Sequence, residues 1–275
     1  MTMDARLQRR VQRYGWDRAA AYYEQYWARQ LEPAQTRLLA LAALAPGERV
    51  LEVACGTGLI TFPAAQAVGP AGQLTATDIS DSMVTRVRET ATARGLNHVA
   101  AERMDAEELA LPDGVFDAVL CGLGLMYLPD PGQALREMRR VLKPAGRVAV
   151  AVWGARQHCG WAEIFPIVDR RVQSEVCPMF FQLGTGRALG LALEAAGFAD
   201  ITSERISSTL IYHSPEDACG AAFAGGPVAL AYSRFDEPTR AEAHGEYLTS
   251  IAPFRRGEGY AIPGEFVVAR AVKMH

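Results

Sequence analysis

The chain has 275 residues and a formal net charge of −3, with 28 Lys and Arg against 31 Asp and Glu. With no basic excess to neutralise phosphates, the balance argues against nucleic acid as the main partner, and at 49% hydrophobic the chain is long enough to bury one large core. Arg9-Arg10 and Arg255-Arg256 are local pairs and read as solvated surface. Five cysteines (Cys55, Cys121, Cys159, Cys177, Cys219) form no C-x-x-C, and an odd number scattered this way fits small buried residues in a reducing, cytoplasmic setting. The longest apolar run, "LLALAALA" at 38–45, is far shorter than the roughly 20 residues that span a bilayer, so no membrane insertion is expected.

The first thirty residues read as helix and carry a dense aromatic set, Tyr14, Trp16, Tyr22, Tyr23, Tyr26 and Trp27. "LLALAALA" reads as the buried side of a helix stopped by Pro46-Gly47. A strand over 49–54 is followed by a helix over 57–68, with Pro63 in its first turns. "GQLTATDIS" is a second strand ending at Asp78, and 81–94 a helix closed by Gly95. "HVAAERMD" and "GVFDAVLCG" supply two more strands, and 131–142 a helix ended by "KPAG". "RVAVAVW" at 147–153 is apolar throughout, as a buried parallel strand should be.

Helices near 161–172 and 185–196 follow, then the alternating strand "DITSERISSTLIYHS", helical material over 215–251 and a last strand, "GEFVVARAVK". Alternating strands and helices imply parallel βαβ units. The expected fold is α/β: a doubly wound, mostly parallel seven-stranded sheet whose last strand is antiparallel and finishes an edge. One domain over 1–275 is expected, with 1–30, 154–182 and 215–256 as a helical lid over the carboxyl ends of the strands, where open α/β sheets bind ligands. A second "GTG" at 184–186 lacks a preceding strand, and Gly184 or Thr185 reads as a helix N-cap.

The turn in "VLEVACGTG" can be set against three cofactor templates. No Lys follows it, so the triphosphate loop fails. Gly56 and Gly58 fit a dinucleotide turn, but Thr61 stands at the third glycine position, where close helix packing beside a pyrophosphate is needed. A nucleoside cofactor without pyrophosphate requires only close backbone approach. Asp78, about 20 residues on, can accept both ribose hydroxyls. Asp105 can accept from an adenine amine, with Met104 and Ile79 as apolar faces for the ring.

With "VLEVACGTG", Asp78 in "TATDIS", "MDAEELALPDGVFDAVLC" and "LREMRRVLKPAGRVAV", the chain resembles the class I S-adenosylmethionine-dependent methyltransferases of the ubiquinone/menaquinone-biosynthesis type. The resemblance is strong over 45–153. It implies a Rossmann-like methyltransferase fold, S-adenosyl-L-methionine as cofactor and no metal. It also implies that Gly56 and Gly58, flanked by Ala54 and Thr57, admit the amino-acid end of the cofactor, with Glu52 orienting that loop. Asp78 with Ile79 and Met83 would take the ribose side, and Met104, Asp105 and the Ala106 amide the adenine. Cys121, Gly122, Leu123 and Met126 would lie under the methionine arm, and Tyr14 and Tyr23 would close the site.

The loop "GLGLMYL" after the fourth strand has no histidine, which leaves His158 and His213 as candidate general bases. No [DN]-P-P-[YFW] motif for amine methylation follows the fourth strand, and no carboxylate pair for a metal follows the fifth. Trp161, Phe165, Met179, Phe180, Phe181, Phe223, Tyr232, Phe254 and Tyr260 give the lid an apolar character suited to a small, moderately apolar acceptor. C- or O-methylation is the expectation. N- or S-methylation, a cofactor-binding protein without methyl transfer, and an NAD-dependent reductase are the alternatives. Monomer and homodimer are both open.

Overall fold

A computed structural model describes residues 4–172, 177 and 179–274. Two helices open the chain, α1 (Ala5–Ala19) and α2 (Tyr23–Ala42). Then β1 (Arg49–Val53), α3 (Thr61–Val68), β2 (Gln73–Asp78), α4 (Asp81–Ala93), β3 (Val99–Arg103) and β4 (Phe116–Gly122) alternate. They are followed by α5 (Pro131–Val141), β5 (Leu142–Trp153), α6 (Ile164–Asp169), α7 (Ala188–Ala195) and β6 (Phe198–Tyr212). Short helices α8 (Pro215–Cys219), α9 (Ala229–Tyr232) and the longer α10 (Glu237–Ile251) lead to β7 (Arg255–Arg256) and β8 (Gly259–Lys273).

Seven strands lie in the order β3-β2-β1-β4-β5-β8-β6, and the two-residue β7 pairs with β8 off this path. The first five are mutually parallel. β8 is antiparallel to both of its neighbours, β5 and β6. The expected seven-stranded, doubly wound α/β sheet is therefore present, but its antiparallel last strand is not at the edge. The burial patterns give the reason. β8 is buried almost without interruption from Gly264 to Ala269, whereas β6 alternates buried or half-buried with exposed residues, as a strand covered on one side does. β4 and β5 are buried on both faces, and the order reverses between β1 and β4, which opens the crevice at their carboxyl ends.

Several boundaries differ from the sequence expectation for local reasons. α2 stops at Ala42, before Pro46, because Ala43 adopts a left-handed conformation and returns its N–H to Leu39. α3 begins at Thr61 rather than 57, since residues 54–58 are taken up by the turn that leaves β1. The "GTG" at 184–186 does not cap α7: Arg187 stands at the cap position, and the Thr185 hydroxyl donates to the Phe181 carbonyl. Gly184 is required instead by close approach, because a Cβ there would collide with the Trp153 carbonyl.

Candidate functional site

The turn leaving β1 is left-handed at three positions: Ala54 (φ 56°), Gly56 (φ 55°) and Gly58 (φ 97°). Its amides are satisfied locally or by β2. Cys55 N–H donates to the Thr77 carbonyl, Gly58 N–H to the Cys55 carbonyl, and Gly56 N–H to Asp78 Oδ2 at 2.9 Å. The other Asp78 oxygen accepts from Ser80 N–H at 2.9 Å. Thr61, where a dinucleotide turn carries glycine, donates its hydroxyl to Glu52 Oε2 at 2.5 Å. The helix start is thus tied to β1 by a polar bridge instead of by bare backbone contact. The buried Thr57 hydroxyl has no partner among the described residues.

A cavity opens above this turn. Of the expected residues, Tyr23, Ala54, Gly56, Asp78, Ile79, Met83, Met104, Asp105, Ala106, Gly122 and Leu123 line it. Six others do not. Glu52 and Thr57 lie buried beneath the turn, Cys121 and Met126 behind the wall, and Gly58 turns toward the Phe62 ring. Tyr14 is 47% exposed with the Arg13 guanidinium over its ring, so it does not close the site. Sequence reasoning missed Arg9, Gln12 and Trp16 of α1, together with Val53, Thr77, Gly124 and Tyr127–Pro129. Their placement depends on α1 crossing the strand ends, a non-local contact without a sequence motif.

Arg9 is not solvated surface. Its Nε lies 2.9 Å from Asp105 Oδ2, and its Nη2 pairs with Glu107. Asp105 caps its own turn as well, accepting from Glu107 N–H at 2.9 Å. Burial pushes the Asp78 carboxyl up to about 6, its two backbone donors working against the rise. Burial also raises Glu52 to about 8, with the Thr61 hydrogen bond opposing and the Asp78 charge adding to it. The Tyr23 and Tyr127 hydroxyls and the Cys121 thiol are pushed upward by burial, the thiol to about 12, so all three are neutral.

Neither candidate histidine reaches the cavity. After β5 the chain folds back on β8, Gly154 N–H donating to the Glu265 carbonyl, and this carries His158 to the surface, where Nδ1 sits 3.0 Å from Glu265 Oε1. His213 is exposed just past β6. Among the described residues no group of His, Cys, Asp and Glu could hold a metal ion, and no helix is long and apolar enough to cross a membrane. All five cysteines are buried and unpaired.

Adjoining the cavity, and sharing Trp16, Tyr23, Leu123 and Tyr127 with it, is an aromatic slot completed by Trp27, Leu31, Trp153, Trp161, Gly226 and Pro227. The rings meet edge to face, Trp27 with Trp153 at 6.0 Å and Trp153 with Trp161 at 4.8 Å between centroids. Of the aromatic residues expected in the lid, only Trp161 reaches this slot. Phe165, Phe180 and Phe181 pack on one another behind Trp161, and Phe223 and Tyr232 form a separate cluster with His244.

The arrangement fits a nucleoside cofactor better than a phosphate carrier. Two carboxylates, Asp78 and Asp105, stand beside the apolar faces of Ile79, Met83 and Met104, and Arg9, already paired, is the single cationic side chain in the wall among the described residues. Residues 50–146 match the family model of a methyltransferase domain. The sheet order is that of the Rossmann-like methyltransferase fold. The chain is 40% identical over 126 residues to a demethylmenaquinone methyltransferase of Listeria monocytogenes, covering 46% of this chain and 53% of that protein. It is 35% identical over 133 residues to an aklanonic acid methyltransferase of Streptomyces, covering 48% and 60% respectively. The matched stretch thus spans little more than half the length of these relatives. A solved geranyl diphosphate C-methyltransferase of Streptomyces coelicolor superposes with a TM-score of 0.54 at 14% identity, covering 88% of this chain and 79% of that one. That likeness is one of fold.

Proposed function

We propose that this chain transfers a methyl group from S-adenosyl-L-methionine to a small, moderately apolar acceptor, at oxygen or carbon. The observation that carries the reading is the junction of two chambers. A cavity with a buried carboxylate and apolar cheeks adjoins an aromatic slot, the two sharing Trp16, Tyr23, Leu123 and Tyr127 in their walls. The cofactor, when bound, supplies a methyl carbon on a sulfonium centre, which leaves as a neutral thioether.

In this reading Asp78 accepts from the ribose hydroxyls with the lone pairs that Gly56 and Ser80 leave unused. Ile79, Met83, Met104 and Ala106 hold the adenine by dispersion, beside the fixed carboxylate of Asp105. The left-handed turn at Gly56 meets the amino-acid end. Trp16, Tyr23 and Tyr127 offer ring faces to a cation and exclude water from the mouth of the slot. Alignment and a dry site account for much of the rate in such a displacement, with orientation alone worth several kcal/mol. Residues 1–30, 154–182 and 215–256 are read as the lid of one domain. The unpaired cysteines support a cytoplasmic protein, as monomer or homodimer.

S-adenosylhomocysteine should raise the melting temperature by mass action on the folded state, and Asp78→Ala should abolish the shift. A chain that shows no shift at saturating ligand does not bind this cofactor. Labelled cofactor offered with carboxylic acids, enols, phenols, amines and thiols identifies the acceptor. Label on nitrogen or sulfur would move the reaction to N- or S-methylation, and no label despite binding would make the chain a cofactor-binding protein only.

A further inference from the structure

We infer that the methyl acceptor is a planar oxyacid, a carboxylic acid or an enolised 1,3-dicarbonyl, with one oxygen received by the indole N–H groups of Trp27 and Trp161. The inference rests on the methyl-transfer reading above and narrows its substrate. Both indole nitrogens are buried without a hydrogen-bond partner among the described residues, and both rings stand in the wall of the same slot, 6.1 Å apart between centroids. An indole N–H can only donate. Leaving one buried and unpaired is costly, and an acceptor oxygen in the slot would relieve both. Gly225 leaves room beside one of them: a side chain there would begin 3.4 Å from Trp27 Nε1.

The wall also lacks any group able to take a proton. Among the described residues it holds no carboxylate, histidine, lysine or cysteine, and its ionisable members are the tyrosines Tyr23 and Tyr127. His158 and His213 lie outside it. A phenol or alcohol would therefore meet no base, and an amine, protonated in water, would bring donors to donors. An acid that loses its proton to water before binding needs no base. With one oxygen on the two indoles, the second oxygen forms its bond to the methyl carbon as the carbon–sulfur bond breaks and its electron pair stays on sulfur. Anion and cation give two neutral products, and no proton moves in the step. The aromatic slot has no cationic side chain among the described residues to balance the acid. The balancing charge is the sulfonium itself, so acceptor affinity depends on the charge of the cofactor beside it.

The test uses the whole chain, titrated calorimetrically with 2-naphthoate and with dimedone, and with 2-naphthol and 2-naphthylmethylamine as neutral and cationic comparators. Each titration is run with S-adenosylhomocysteine, which is uncharged at sulfur, and with sinefungin, which carries an amine charge there. The expected result is binding of both acids, at least tenfold tighter with sinefungin, and weak or no binding of the comparators. Trp27→Phe and Trp161→Phe should each weaken naphthoate about tenfold or more, the loss expected for one donor to a charged acceptor. Replacing either tryptophan by benzothienylalanine, which keeps the ring shape and lacks the N–H, should give the same loss at an unchanged melting temperature. Equal binding of naphthol and naphthoate, or full affinity in the benzothienylalanine variants, overturns the inference. Failure of S-adenosylhomocysteine itself to bind would instead overturn the methyl-transfer reading.

Discussion

The Asp17 carboxylate on α1 accepts from the Ser80 hydroxyl at 2.6 Å and from Ser82 N–H at 3.1 Å. Ser80 is fully buried, and the same hydroxyl caps α4 by accepting from Met83 N–H. One residue after Ile79 in the cavity wall, the covering helix is therefore fastened to the strand end that holds Asp78. Cofactor exchange is expected to require release of this fastening and of the Arg9–Asp105 pair. Asp17→Ala should raise the dissociation rate of S-adenosylhomocysteine about tenfold, the scale of one charge-assisted hydrogen bond. Stopped-flow displacement measures it, and an unchanged rate would mean that α1 does not gate the cavity.

Acidification should weaken cofactor binding through Asp78. Its folded value near 6 is set by burial, opposed by hydrogen bonds from Ser80 and Gly56 and assisted by the Asp17 charge. The ribose hydroxyls need the ionised form, so affinity should be steady above about pH 7 and fall with decreasing pH below 6. Calorimetry across pH 5–8 reads this directly. An Asp78→Asn variant, already neutral, should bind weakly with little pH dependence.

Stability should respond in the opposite direction at Glu52. Its carboxyl is raised from 4.5 to about 8, so the folded chain holds a proton that the unfolded chain releases. This contribution to stability is complete below about pH 4.5 and is lost as pH rises through 8. Glu52→Gln keeps the hydrogen-bonding shape beside Thr61 without the titration. Its melting temperature relative to wild type should improve between pH 5 and 9, by several degrees. A parallel pair of melting curves would assign the pH dependence to another group.

Gly122, the last residue of β4, and Gly124 just past it should behave differently. A Cβ on Gly124 would collide with the Ala54 Cβ in the cavity wall and come within 3.3 Å of the Cys121 sulfur behind it. A Cβ on Gly122 would meet chiefly the Ile60 Cδ1, the movable end of a side chain. Gly124→Ala should cost about 1–3 kcal/mol, as overpacking does, and push the 54–56 turn out of place, lowering cofactor affinity more than Gly122→Ala. Denaturant melts and cofactor titration on the two variants test the order.

The parts legible in the sequence are those fixed by local patterns. Apolar runs closed by Gly or Asp gave five parallel strands, and the spacing from Gly56 to Asp78 placed turn and carboxylate together before any coordinates, because both sit at ends of adjacent strands. Asp105 was legible, but its partner Arg9 was not, since the two meet across 96 residues of chain through the packing of α1 on α4 and α9. The interior position of β8 was visible only in its unbroken apolar stretch, set against the charged, alternating β6, and a reading by chain order alone put it at the edge. His158 was attractive by its place after β5, but the return of the chain onto β8 turns it toward Glu265 and away from the cavity. Trp27 and Trp161 lie in segments read as general lid or core, and only their unpaired nitrogens mark them out.

β6 and β8 pair from Phe198–Lys273 through Tyr212–Tyr260, a ribbon of about 50 Å at the usual rise per residue, while β8 leaves β5 already at Trp153–Phe266. Everything from Ser214 to Glu258 is thus mounted at the end of an overhanging hairpin, carried clear of the parallel strands that hold the cofactor turn. Gly226 and Pro227 enter the aromatic slot from this mount, and none of β1–β5 needs to change if the mounted segment is exchanged. A chimera made by cutting at Tyr212 and Gly259 would keep one chemistry on an unaltered chassis and trade only the shape it accepts.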